Sequence, residues 1–319
     1  MSDTSIFEYS LSRSALPPGT FLKSYRGKVR DVYELPDEVL AIVATDRVSA
    51  FDHILAETIP FKGQILNQIA ANAMEQVADL VPTHIIDLPH PNLMIARRCE
   101  PLPVEVVVRG YLAGHALREY QAGRRQLCGA SMPDGLTPYQ AFDKPLLTPT
   151  TKAAEGHDED ISEQTIIAQG LVKEEIWQNV RKIALNLFQR GAETARKRGL
   201  LLIDTKYEFG LLDGEVVLID EVHTPDSSRY VYAGNFHERL QQGEAPEQLS
   251  KEFVREWLMQ QGFSGKDGQA IPTLPDEFRI QVYERYAEVF KQLTGHAFAP
   301  IYTPDYSTTF GELLKPYLR

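Results

Sequence analysis

Apolar residues alternate with polar ones, or run together, in two parts of the chain that we predict to be β-sheet. Residues 22–35 alternate, and after a polar break at residues 36–38 the run VLAIVAT at 39–45 is typical of a buried strand. Residues 104–108, VEVVV, form another apolar strand, which only Glu105 interrupts. We expect the first two segments to pair as antiparallel neighbours.

Apolar residues recur at helical spacing in much of the remaining chain. This spacing predicts helices at residues 62–80, 116–122, 173–198, 250–261 and 276–294. Ser162 has the chemistry of an N-cap for a further short helix. We expect the long helix at 173–198 to pack across a sheet, and residues 302–319 to form an ordered strap.

The densest group of ionisable residues lies in a predicted β-hairpin over residues 202–229. Because strand side chains alternate between two faces, the first arm has a charged stripe on one face and a largely aromatic stripe on the other. The charged stripe is Asp204, Lys206 and Glu208, and the opposite stripe is Thr205, Tyr207 and Phe209. The second arm, residues 216–219, is apolar and leads into Asp220.

The length of the hairpin loop decides which residues of the two arms meet. A two-residue loop, Asp213-Gly214, would pair Glu208 with Ile219. It would leave Asp220 on the aromatic face, where an unpaired carboxylate is costly. A three-residue loop would pair Lys206 with Asp220 and place Glu208 diagonally, roughly 7 Å away, so that one cation could bridge both carboxylates. We predict the three-residue loop; the alternative is a solvated hairpin with ordinary ion pairs.

Composition narrows the class of protein and its partners. The 319 residues are 43% hydrophobic and 24% charged, which is ordinary for a globular protein. A net charge of −11 argues against a nucleic-acid or anionic-membrane surface and favours a small-molecule partner. Cys99 and Cys128 form neither a disulfide framework nor a metal motif. With a polar N-terminus and no long apolar run, we expect a cytoplasmic monomer or homodimer.

Cationic side chains near strand ends are candidates for anion binding. Gly27 lets the backbone approach a ligand, and Lys28 and Arg30 beside it make a candidate phosphate cover. Arg109, where an apolar strand opens into a turn, is placed to bind a carboxylate or phosphate with its guanidinium fork. The alternatives are a solvated strand edge for the first group and a hydrogen-bonded structural role for the nearby His115.

These cations, together with a lysine flanked by carboxylates, suit a reaction among several anions with a divalent metal. Proteins usually hold Mg²⁺ through one or two carboxylates plus phosphate oxygens. A lysine such as Lys206 can neutralise charge on a transferred phosphoryl group. The residues alone therefore indicate an enzyme that uses ATP and Mg²⁺ on an anionic substrate.

Six ordered motifs resemble those of the phosphoribosylaminoimidazole-succinocarboxamide synthase (SAICAR synthetase) family of de novo purine biosynthesis. They lie within residues 25–232 and read GKVRDVYEL, TDRVSAFD, EVVVRGYLAGHALREY, TPTTKAAEGHDEDIS, DTKYEFG and DEVHTPDSSRY. The resemblance implies a ligase in which ATP phosphorylates the carboxylate of carboxyaminoimidazole ribonucleotide (CAIR). The amine of L-aspartate then displaces phosphate, giving SAICAR, ADP and phosphate.

The resemblance also implies an α+β fold that sandwiches ATP. It implies an N-terminal antiparallel β domain at residues 1–110 and an ATP-grasp-like catalytic domain at 111–319, with a C-terminal helical extension at 236–319. A small-molecule kinase of related fold and a non-catalytic nucleotide-binding regulator are the alternatives. A requirement for aspartate in ADP release separates the ligase from the kinase. Intact Lys206, Glu208 and Asp220 argue against the regulator.

Matching the motifs residue by residue implies a role for each site position. The ATP phosphates are assigned to Gly27, Lys28 and Arg30, magnesium to Glu208 and Asp220, and the reacting groups to Lys206, Glu208 and Asp220. The ribonucleotide is assigned to Arg109, Asp226, Ser227 and Arg229. Further substrate contacts are assigned to Asp46, Ser49, Asp52, Lys152 and Asp158. Where the family usually has serine this chain has His115, which leaves the role of that substrate-binding position open.

Overall fold

A computed structural model describes residues 4–152, 159–249, 251–266 and 268–318. The chain divides into two compact units. Unit 1 comprises Met1–Asn72, His84–Arg98 and Leu249–Arg319, and unit 2 comprises Ala73–Thr83 and Cys99–Gln248. This division differs from the boundary expected at residue 110, because the C-terminal helices group with the N-terminal sheet.

The strands of the described residues confirm the expected mixture of sheet and helix. In chain order they are β1 (Lys23–Arg26), β2 (Arg30–Leu35), β3 (Val39–Ala44), β4 (Arg47–Ala50), β5 (His53–Thr58), β6 (Ile85–His90), β7 (Leu93–Arg97), β8 (Glu100–Tyr111), β9 (Gln126–Leu127), β10 (Ala130–Ser131), β11 (Ala141–Thr151), β12 (Leu200–Leu212), β13 (Glu215–Ile219) and β14 (Ser228–Tyr232).

Helices occupy each segment where the spacing predicted one. In chain order they are α1 (Lys62–Gln76), α2 (Gly114–Gln121), α3 (Glu163–Ala168), α4 (Glu174–Lys197), α5 (Phe236–Gln241), α6 (Glu252–Gln260), α7 (Asp276–Thr294) and α8 (Tyr306–Leu314). Two 3₁₀ turns lie at Thr4–Tyr9 and Lys315–Tyr317. The predicted cap is confirmed, since the Ser162 side chain accepts a hydrogen bond from the backbone N–H of Thr165 at 3.0 Å.

Unit 1 is built on an antiparallel sheet in the order β1-β2-β3-β7-β6. The expected pairing of β2 with β3 is confirmed, with Val32 opposite Ile42. The core on this sheet includes Val43 and Ile95, and α8 contributes Phe310 and Leu314 to the same cluster. The predicted C-terminal strap therefore contains a helix whose apolar face is part of the first core.

Unit 2 is built on an antiparallel sheet in the order β11-β8-β12-β13, with β14 also paired to β12. Helix α4 packs against β12, as predicted, and buries an apolar stripe that includes Trp177 and Leu187. On that side of the sheet the hydroxyl of Tyr207 lies 2.7 Å from Nε2 of His223. The opposite side carries the predicted charged stripe of β12.

The hairpin loop between β12 and β13 has two residues, so the prediction of a three-residue loop is wrong. Leu212 pairs with Glu215, and Glu208 pairs with Ile219. Asp213 and Gly214 have φ angles of 52° and 84°, the two positive values of a type I′ turn. This turn matches the right-handed twist of the flanking strands, so the strand pairing continues to the end of both arms.

Among the residues that the structure describes, no helix combines the length and apolar character needed to cross a membrane.

The turn gives a direct test of the observed register. Gly214→Ala is expected to lower the free energy of unfolding by about 1 kcal/mol, because an L side chain at positive φ is strained even where space is available. Gly234→Ala is the matched control, since this glycine has open space around it and an ordinary φ. Urea denaturation of both variants measures the difference. Equal stability of the two variants would contradict the two-residue turn.

Candidate active site

One face of the sheet in unit 2 carries a group of charged side chains, and we call it the polar face. It consists of Asp204, Lys206 and Glu208 on β12, Glu105 and Arg109 on β8, Thr148 on β11, Lys152 directly after β11, and Arg229 on β14. Asp204 pairs with both Arg109 and Arg229 on the flanking strands. Glu208 pairs with Glu105. The strand register therefore gathers residues that are far apart in sequence.

Four side chains of the polar face form a line of alternating charge, which we call the charge quartet. Lys152 Nζ lies 2.5 Å from Oε2 of Glu208, whose Oε1 lies 2.7 Å from Lys206 Nζ. Lys206 Nζ also lies 2.5 Å from Oε1 of Glu105. Two like charges directly opposite each other on neighbouring strands are destabilising. The two lysines neutralise the facing glutamates and leave the quartet with no net charge.

Burial and pairing oppose each other in setting the protonation of the quartet. Burial acts to raise the pKa of Glu208, but the ammonium groups of Lys206 and Lys152 outweigh it and hold that pKa at about 2. Burial likewise acts to lower the pKa of Lys206, and the charges of Glu208 and Glu105 raise it above its ordinary value. Glu208 and Lys206 are therefore both ionised at neutral pH.

A second cluster on the polar face has two arginines around one carboxylate. Asp204 Oδ2 lies 3.2 Å from Nη1 of Arg229 and 3.6 Å from Nη1 of Arg109. Arg109 is 7% exposed, and its Nε donates to Oγ1 of Thr148 at 2.9 Å. A Cβ at Gly114 would lie 2.3 Å from Nη1 of Arg229, so glycine is needed there for the guanidinium to fit. One carboxylate facing two guanidinium groups leaves a net positive site suited to an anion.

His115 forms a hydrogen bond with an aspartate next to this cluster. Its Nε2 lies 2.7 Å from Oδ2 of Asp160, and the hydrogen bond from His115 lowers the pKa of that carboxyl. Cys128 lies close by and donates to the carbonyl of Pro149 at 3.4 Å; burial raises the pKa of its thiol to about 12. His115 therefore has a defined acidic partner.

Asp220 directly follows β13 and does not pair with Lys206, contrary to the predicted register. Its φ of 63° is left-handed, so strand alternation no longer fixes the direction of its side chain. The backbone N–H of Lys206 instead donates to the carbonyl of Ser227 at 2.9 Å. Ser227 lies in a turn directly after Asp226, and its backbone N–H donates to Oγ1 of Thr224 at 3.2 Å.

In unit 1, the predicted phosphate cover is the loop between β1 and β2. The N–H of Gly27 donates to the carbonyl of Arg30 at 2.7 Å, which closes the loop. Arg47 donates from Nη2 to the Gly27 carbonyl and from Nε to the Lys28 carbonyl, each at 3.0 Å. Arg47 also pairs with the buried Asp31 at 2.8 Å. The loop backbone is therefore held while the side chain of Lys28, half exposed, reaches Asp52 at 2.5 Å.

The segment 45–52, predicted to be a polar turn, contains strand β4 and a turn in which Asp52 has a φ of 64°. Asp46 is fully buried and accepts hydrogen bonds from the backbone N–H groups of Gly63 and Leu11, both at 2.8 Å. Burial raises the pKa of Asp46 to about 6. These contacts give Asp46 a structural role, and its contact with substrate stays a prediction. Ser49 accepts a hydrogen bond from Lys251 at 3.2 Å.

The structure adds residues that the sequence analysis did not assign to the site. Glu105 was visible as the interruption of an apolar strand, which is the signal that could have identified it. Asp204 was noted in the charged stripe without a role, and Asp160 and Arg47 gave no local signal. Asp158, predicted to contact substrate, lies outside the described residues.

Comparison with known proteins shows the family of the chain. Residues 23–270 match the SAICAR synthetase family. A phosphoribosylaminoimidazole-succinocarboxamide synthase of Cytophaga hutchinsonii is 51% identical over 295 residues, which cover 92% of this chain and 94% of that protein. The same enzyme of Flavobacterium psychrophilum is 54% identical over 276 residues, covering 86% and 87%.

Solved structures give the same result. The SAICAR-synthase from Saccharomyces cerevisiae complexed with SAICAR has a TM-score of 0.78 and 30% identity, covering 91% of this chain and 100% of that one. A SAICAR synthetase (Type-2) in complex with ADP has a TM-score of 0.67 and 23% identity, covering 87% and 100%, and shows the likeness of fold. Because the family match covers most of the sequence and relatives sharing half of its residues have the same name, this chain belongs to the SAICAR synthetase family.

Proposed function

We propose that the polar face of unit 2 activates the carboxylate of the ribonucleotide substrate. As a SAICAR synthetase, the chain is an ATP-dependent ligase that joins L-aspartate to CAIR. The γ-phosphoryl group of ATP passes to a carboxylate oxygen, which gives an acyl phosphate and ADP. The aspartate amine then bonds to the acyl carbon, the C–O bond to phosphate breaks, phosphate leaves with the electron pair, and the amine loses a proton.

The observation that supports this proposal most is the charge quartet. An ionised carboxylate is a poor electrophile, and phosphorylating it brings several negative charges together. Lys206 is charged and held between two carboxylates, so it provides a fixed positive charge where phosphoryl transfer takes place. Lys152 provides a second cation on the other side of Glu208.

Glu208 and Asp220 are the proposed magnesium-linked acids. Carboxylate oxygens are the hard donors that Mg²⁺ prefers, and the pKa of about 2 keeps Glu208 ionised at any physiological pH. Mg²⁺ needs only one or two such protein donors when phosphate oxygens and waters complete its shell. Bound metal would neutralise charge on the phosphates of ATP. Glu208 and Asp220 would hold the metal close to the reacting carboxylate.

The loop between β1 and β2 is the proposed contact for the ATP phosphates. Arg47 braces the carbonyls of Gly27 and Lys28, which fixes the backbone of the loop. The ammonium group of Lys28 is exposed and pairs with Asp52, an exposed carboxylate of a surface ion pair. Such pairs contribute little to stability, so Lys28 can exchange Asp52 for a phosphate at small cost. Arg30 lies at the start of β2 and is the second proposed cation.

The cluster of Arg109, Arg229 and Asp204 is the proposed site for the ribonucleotide phosphate. Arg109 is buried and Arg229 is partly buried, and both guanidinium groups are held by Asp204, which favours binding of a phosphate by two parallel hydrogen bonds. The related Saccharomyces cerevisiae structure contains SAICAR, which agrees with a product site in this fold. The remaining proposed substrate contacts are Asp46, Ser49, Asp52, His115, Lys152, Asp158, Asp226 and Ser227.

The function is tested by ADP release from purified enzyme supplied with ATP, Mg²⁺ and CAIR, with and without L-aspartate. We expect sustained ADP release only when aspartate is present, because the acyl phosphate needs the amine to complete turnover. Equal ADP release in both conditions would identify a kinase. No ADP release in either would remove the proposed function.

Arg229→Lys is expected to raise the KM for CAIR about tenfold, with the KM for ATP unchanged. Lysine keeps the charge but loses the guanidinium fork, and one hydrogen bond to a charged group is worth about 1.5–3 kcal/mol. The matched control is Arg118→Lys, an exposed position of α2. Steady-state kinetics measures both variants. An equal change in the KM for ATP would show that Arg229 does not act through the ribonucleotide.

Glu208→Gln is expected to reduce the loss of stability in acid. The pKa of Glu208 is lowered from 4.5 to about 2 in the folded protein. Its contribution to the free energy of unfolding is therefore present above pH 4.5 and is lost as the pH falls toward 2. That contribution is of the order of 3 kcal/mol at neutral pH. Denaturation curves between about pH 6 and about pH 3 compare the variant with Glu215→Gln, at an exposed strand end. Parallel curves for the two variants would show that Glu208 is not paired.

A further inference from the structure

Glu105 is a buried charge in a strand whose neighbouring residues are apolar. Val104 and Val106 on either side of it face the core, with 1% and 0% exposure. Its own side chain is 12% exposed and turns to the polar face, where it meets Lys206. A glutamate in such a position costs free energy unless a cation pairs with it. Lys206 supplies that cation.

Lys206 has two carboxylate partners, and the two partners differ in what else they can do. Glu208 is a proposed magnesium ligand and already receives a second ammonium group from Lys152. A divalent cation bound to a carboxylate repels the ammonium groups that are paired with that carboxylate. When Glu208 binds metal, its contact with Lys206 is weakened, whereas the contact of Lys206 with Glu105, at 2.5 Å, is not directly affected.

We propose that Glu105 is a positioning residue that retains Lys206 on the polar face when Glu208 takes up a cation. This inference rests on the proposed roles of Lys206 and Glu208. Glu105 acts through its charge and its place in the register, because β8 and β12 put it directly opposite Glu208. Lys206 thus shifts from two carboxylates to one and keeps its position and its charge while its other hydrogen bonds become available to the reacting groups.

The first test follows Lys206 directly and does not depend on activity. An amine-reactive reagent labels the metal-free enzyme, and mass spectrometry gives the labelling rate of each lysine before and after addition of MgADP. In the wild type we expect Lys152 to become more reactive on metal binding and Lys206 to stay protected. In Glu105→Gln we expect metal to increase the labelling rate of Lys206, because Lys206 then loses the hold of both carboxylates.

The controls keep this test specific. Lys144 on β11 is exposed and gives the reference rate in each sample. Glu100→Gln makes the same chemical change at an exposed position of the same strand, and it should behave as the wild type. The proposal would be overturned if Lys206 in Glu105→Gln, with MgADP bound, were as well protected as in the wild type.

Kinetics supplies the second test. Glu105→Gln is expected to lower kcat about 10- to 100-fold with little change in the KM for ATP, and Glu105→Asp should recover part of the loss because it keeps the charge. Thermal unfolding identifies a variant that does not fold; Glu105→Asp then carries the labelling test, with an intermediate increase expected. Unchanged kcat in folded Glu105→Gln, with an active wild type, overturns this inference alone. An inactive wild type would instead remove the proposed function.

Discussion

Two glutamates face each other on neighbouring strands of unit 2, and their repulsion must be balanced for the sheet to form. Glu105 and Glu208 occupy paired positions of β8 and β12. Lys206 and Lys152 balance them through ion pairs of 2.5–2.7 Å. The same balance leaves a charged lysine and an ionised carboxylate side by side on the polar face. The balance that the sheet requires thus also provides the charged groups that we propose for phosphoryl transfer.

The other side of the sheet gives the polar face its support. Helix α4 buries Trp177 and Leu187 against the sheet, and Tyr207 forms a buried hydrogen bond with His223. Burial lowers the pKa of His223 to about 4, so this imidazole is neutral and does not bring a second charge beneath the quartet. Alternation along β12 therefore separates an apolar, close-packed side from a charged side. Residues on the charged side are held by strands rather than by loops, which favours precise geometry.

Local patterns predicted the elements and the charged stripe, because both depend on residues close together in sequence. They did not predict the length of the hairpin loop, because two- and three-residue loops are both compatible with Asp213-Gly214. The shorter loop looked unfavourable because it would place the Asp220 carboxylate on the aromatic face. The left-handed φ of Asp220 removes that cost. Glu105 was visible in its strand, but its partner depends on the pairing of β8 with β12, which local sequence does not determine. The grouping of α8 with the first sheet is long-range in the same way.

The central claim is that the substrate carboxylate is activated at the charge quartet. The most direct measurement is the distance from Nζ of Lys206 to the nearest carboxylate oxygen of CAIR, in a crystal structure with CAIR and a non-hydrolysable ATP analogue. We predict hydrogen-bond contact, about 3 Å, with the Lys206–Glu105 ion pair retained. A CAIR carboxylate bound away from the polar face, with all ion pairs of the quartet unchanged, would contradict the account.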